Sequence, residues 1–114
     1  MEKIIKVGDR EIKVVCNAFM PILYKRQFGR DFFADMMKMD GADEGDFSHI
    51  DIETIFNMVW CMARLADKSI PPSDEWLEGF DVFPISEIIP EVTGMLLATF
   101  NPSKNAEAVQ SASL

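Results

Sequence analysis

The chain has 114 residues, 48% of them hydrophobic and 26% charged, enough for one compact domain that needs no metal or disulfide staple. Acidic residues outnumber basic ones 19 to 11, a formal net charge of -8, which argues against nonspecific binding to nucleic-acid phosphates. Two cysteines, Cys16 and Cys61, each in an apolar context, are too few for a secreted disulfide scaffold and read as buried thiols of a reducing compartment. No stretch approaches the run of about 20 apolar residues that spans a membrane, and Met1-Glu2-Lys3-Ile4-Ile5-Lys6 alternates charge with hydrophobe, unlike a signal peptide. A cytoplasmic location is expected.

Residues 1–38 carry a net charge of +3 and the remainder -11. That polarity describes either two solvated faces or a molecule oriented against a charged partner, and it permits head-to-tail self-association.

The first segment reads as a β-hairpin. Ile5, Val7, Ile12, Val14 and Cys16 fall on one face, Lys6, Glu11 and Lys13 on the other, and Gly8-Asp9 supplies the turn. A two-stranded hairpin is marginal alone, so its apolar face must rest on helices. Pro21 suits the first turn of a helix with Ile22, Leu23, Tyr24 and Phe28, closed by Gly29. Asp31 caps a second helix, on which Phe32, Phe33, Met36 and Met37 are expected to share a face.

A polar, acidic loop follows. Asp40 to Ile50, extended to Asp51, partly fits a calcium-binding EF-hand loop, with Asp, Gly, Asp and Ser at its first, sixth, seventh and ninth positions. Ala42 at the third position and the short Asp51 at the twelfth remove one ligand and weaken another, so a solvated loop with Asp51 as a helix cap is expected.

The strongest periodic signal comes next. Ile52, Ile55, Phe56, Val59, Trp60 and Ala63 follow the helical repeat, and Met58, Cys61, Met62 and Leu65 widen the stripe until little polar surface is left. This is the expected core helix, ending near Asp67-Lys68. After Pro71-Pro72, Ser73 or Asp74 is expected to cap a short helix with Trp76, Leu77 and Phe80. A last helix begins near Pro84, buries Ile85, Ile88, Ile89, Val92 and Leu96, and meets a possible kink at Pro90. Residues 1–100 thus form one mostly α, α+β domain: an N-terminal hairpin packed on about five helices. Residues 101–114, small and polar, are expected to be a disordered tail.

Catalytic signals are sparse. His49 is the only histidine, and there is no Gly-rich phosphate loop, Ser-His-Asp set or metal-ligand cluster, so neither an enzyme nor a cofactor-binding protein is expected. Eight methionines serve either as gap fillers in a small core or as an adaptable apolar surface. The candidate partner-binding residues are Phe32, Phe33, Met36 and Met37 together with Trp76 and Phe80, each of which has core packing as its alternative role.

The order of a short basic hairpin, Tyr24-Lys25-Arg26-Gln27-Phe28-Gly29-Arg30-Asp31-Phe32, then Trp60-Cys61-Met62-Ala63-Arg64-Leu65-Ala66-Asp67 and a Pro-Ser-Asp-Glu-Trp76-Leu77 segment resembles the tail assembly chaperones of long-tailed phages and prophages of Gram-positive bacteria. The resemblance covers roughly residues 1–100. It implies a non-catalytic protein that keeps the tape-measure protein soluble, brings tail-tube protein subunits to it, and is absent from the finished virion. It also implies a longer product made by programmed frameshifting, with which Ser103-Lys104-Asn105 is compatible through codons containing an A-AAA-AAC run. The alternative is a small phage-encoded regulator or adaptor that binds a host protein.

Overall fold

The computed structural model describes residues 1–39, 45–48 and 50–101. Strands β1 (Glu2–Val7) and β2 (Arg10–Val15) are followed by helices α1 (Met20–Phe28), α2 (Phe32–Met37), α3 (Ile52–Ala66), α4 (Ser73–Glu78) and α5 (Ile85–Phe100). Most of the expected acidic loop (residues 40–44 and 49) and the expected tail beyond Asn101 lie outside the described residues.

The strands pair antiparallel, with Val7 opposite Arg10 and Ile5 opposite Ile12, leaving Gly8-Asp9 as a two-residue turn. Gly8 has φ +67° and no non-glycine residue among those described has a positive φ, the pattern of a type II′ turn with glycine in its first central position. Since side chains alternate across a strand, Ile5, Val7, Ile12, Val14 and Cys16 all enter the core from one face. Beyond the strands, the Cys16 N–H donates to the Met1 carbonyl at 2.8 Å, and the Met1 amine donates to the Cys16 carbonyl at 2.7 Å.

Helix α3 is the centre of the fold. It packs against β2, α1, α4 and α5, while α5 also covers β1. Asp51 caps it by accepting from the Glu53 N–H at 3.0 Å. Ile55, Val59, Trp60 and Ala63 of the expected stripe are buried with Met58, Cys61 and Met62, whereas Ile52, in the first turn, is exposed. The Trp60 indole N–H donates to the Pro71 carbonyl at 3.0 Å, which ties the double-proline segment to the core helix.

One boundary differs from expectation. Helix α4 starts at Ser73 with Pro72 as its N-cap and has no side-chain cap, because proline carries no side-chain acceptor; the Pro72 carbonyl accepts the first helical bond from the Trp76 N–H at 2.9 Å. Helix α5 begins directly after Pro84 and runs through Pro90. Pro90 cannot donate to the Ser86 carbonyl, but both residues lie on the solvent side, where water can replace that bond. Ile88, Ile89, Val92, Met95 and Leu96 form the buried face of α5.

Candidate functional site

The four apolar residues of α2 do not share a face. Phe32 is 1% exposed and Met36 is partly buried, whereas Phe33 is 46% and Met37 73% exposed. The cause is Asp35, a carboxylate that points into the protein and is 1% exposed. Its Oδ2 accepts from the Tyr24 hydroxyl and from Arg30 Nε, both at 2.6 Å, and its Oδ1 accepts from Arg30 Nη2 at 2.7 Å. Lys38 Nζ lies 3.8 Å from Oδ1. The fork of Arg30 satisfies both carboxylate oxygens, so the charge can be buried. Asp35 and Phe32 therefore face inward, and Phe33 and Met37 turn out to solvent.

Electrostatics follow the same geometry. Hydrogen bonds from Arg30 hold the Asp35 carboxyl below the usual carboxylate range, against the opposing effect of burial. Burial, reinforced by the hydrogen bond and charge of Asp35, pushes the Tyr24 hydroxyl up. Neither group changes charge near neutral pH, so the cluster acts as a latch between α1 and α2 and not as a proton relay.

Outside this latch lies an apolar surface. Phe33 meets Phe32 and Phe100 edge-to-face at ring-centroid distances of 5.2 and 5.7 Å, which fixes its position at the end of α5. A shallow cavity of about 280 Å³ beside it is lined by Pro21, Lys25, Asp31, Phe32 and Phe33. Ile22 and Phe19 are further exposed apolar side chains on and just before α1. Sequence reasoning missed these two. The run Phe19-Met20-Pro21-Ile22 was the available signal, since one helix face cannot bury four consecutive residues.

Trp76 and Phe80 are not part of this surface. Trp76 is 8% exposed and stacks edge-to-face on Phe80 at 4.8 Å, and Phe80 and Phe56 each pack against Phe83. The Arg10 guanidinium covers the Phe80 ring at 4.0 Å and donates to the Gly79 carbonyl at 3.1 Å. Phe80 thus joins the hairpin tip to the end of α4, with Trp76 packed against it, and neither joins Phe33 and Met37. Of the six expected contact residues, Phe33 and Met37 are the ones free to meet a partner without rearrangement.

A separate groove of about 380 Å³ lies where α1 meets the end of α3, lined by Asn17, Phe19, Leu23, Arg64, Leu65 and Lys68. Among the described residues, no group of three or more His, Cys, Asp or Glu side chains is placed to hold a metal ion. Of the expected calcium loop, Asp46 accepts from the Ser48 N–H and hydroxyl, and Asp51 caps α3. No helix among the described residues is long and apolar enough to cross a membrane.

No family model matches the chain, and neither a curated protein nor a solved structure matches it.

Proposed function

We propose that this chain is a non-catalytic tail assembly chaperone that binds apolar helical stretches of a phage tape-measure protein and helps bring tail-tube subunits to it. The observation that carries the reading is the exposed pair Phe33 and Met37 on α2, held out by a buried latch on a small acidic domain. Methionine and phenylalanine side chains accept varied apolar partners, which suits a long client with many similar segments. Weak contacts repeated by many copies along such a client would sum to tight coating, and the charge of -8 on each copy would keep the coated complex dispersed. The sequence resemblance supports the same role.

The test is co-expression with the long reading frame beside this gene, followed by pull-down. The expected result is recovery of that long product as a soluble complex, reduced by Phe33→Glu and Met37→Glu. If the long product stays insoluble and unbound, both with this chain and with an in-frame fusion to the following reading frame, the reading fails and the host-directed adaptor replaces it.

A further inference from the structure

We infer that the groove between α1 and the end of α3 is a second docking site, which takes an apolar segment flanked by carboxylates from another protein. Its floor is apolar, formed by Phe19, Leu23 and Leu65. Its rim is basic. Arg64 and Lys68 line it, and the Arg26 guanidinium lies 5.8 Å from the Phe19 ring centroid. This rim stands out in a chain of net charge -8, where the only basic residues after position 38 are Arg64, Lys68 and Lys104.

Among the described residues none of the three forms an ion pair, a state they share with Lys6, Arg10 and Lys25. The nearest acid in sequence, Asp67, feels the charge of Arg64 but makes its hydrogen bonds to Ser69, accepting from the Ser69 N–H at 2.9 Å and the Ser69 hydroxyl at 2.6 Å. Arg64 is positioned by donating to the Lys68 and Ile70 carbonyls. A fixed guanidinium beside an apolar floor matches a carboxylate next to a hydrophobic side chain. A second copy is the poorer occupant, since two chains of charge -8 repel at long range. Phe19 and Leu23 sit one turn apart on one flank of α1 and Pro21 and Lys25 on the other, so this site and the Phe33 surface are separate.

The probes are two synthetic amphipathic helical peptides with identical leucine stripes, one flanked by glutamates and one by lysines. Each is titrated at low salt into the isotopically labelled full chain and followed by amide NMR shifts. The glutamate peptide should bind at least about threefold tighter, as one or two exposed ion pairs allow. Its shifts should centre on residues 19, 23 and 64–68. Lys68→Glu should reverse the preference, Lys68→Gln should abolish most of it, and Met37→Glu should leave it unchanged. Equal binding of the two peptides, no binding of either at millimolar concentration, or shifts centred on Phe33 and Met37 would overturn the inference. Shifts of the same groove on raising protein concentration without peptide would assign it to a second copy and overturn it as well. None of these outcomes depends on the tape-measure experiment.

Discussion

Replacing Asp35 with alanine tests whether the α1–α2 latch holds the folded state together. Asp35 is buried and accepts three short hydrogen bonds, one of them from the buried Tyr24. A hydrogen bond to a charged group contributes about 1.5 to 3 kcal/mol, and the Tyr24 hydroxyl loses its carboxylate acceptor. The bonds from Arg30 count for less, because its side chain is 46% exposed and water can take their place. The expected loss is about 3 kcal/mol, roughly a fifth to a half of the stability typical of a domain this size. Urea unfolding of the full chain at neutral pH measures it, and Tyr24→Phe added to Asp35→Ala should cost little more than Asp35→Ala alone. The pH dependence has a definite sign. Arg30 lowers the carboxyl's folded pKa below its unfolded value near 3.9, so the latch contributes fully above about pH 5. That contribution disappears as pH falls through the folded pKa, and the gap between wild type and variant should close with it. A loss under about 1 kcal/mol at pH 7, or a gap that does not narrow toward pH 3, would refute the argument.

Other outcomes follow from the same structure. Met37→Glu should change stability by less than about 0.5 kcal/mol, while Phe32→Ala, one turn away on the inner side, should cost about 3 kcal/mol or more; paired urea titrations read both. Gly8→Ala should destabilise by about 1 to 2 kcal/mol, since φ is +67° and the new Cβ would lie 3.1 Å from that of Val82. Val82→Ala in that background removes the Cγ1 contact at 3.2 Å but keeps the Val82 Cβ and the backbone strain, so full recovery would contradict this reading. Burial pushes the Cys61 thiol up to about 12 and raises that of Cys16, so both should resist a thiol reagent at pH 8 and react promptly in denaturant. Rapid labelling of the native chain would show the core to be more open than described.

What the sequence reveals depends on how far each element obeys a simple pattern. The hairpin face, the α3 stripe and the caps at Asp31 and Asp51 are legible because alternation, helical period and side-chain capping are local rules. Helix α2 is not, because a carboxylate is ordinarily placed on the water side. The inward residues Phe32, Asp35, Met36 and Met39 define a face rotated by roughly 80° from the one that apolar residues alone indicate. Only the partners of Asp35, on α1 and in the α1–α2 connection, reveal that rotation. Phe80 is hard to read for a related reason, since part of its cover comes from Arg10, on the distant hairpin. The groove rimmed by Arg64 and Lys68 likewise needs α1 to be placed before its floor exists.

The clamp on the hairpin tip also sets an order of events during synthesis. Arg10 donates to a carbonyl 69 residues further along the chain, and Gly8 lies against Val82. At a ribosomal rate of about 5 to 20 residues per second, the hairpin waits roughly 4 to 14 s for that partner to be made. Its register is local and can form early, but its attachment is among the last contacts available. A nascent chain stalled before residue 79 would therefore carry a paired hairpin whose tip has nothing to close against.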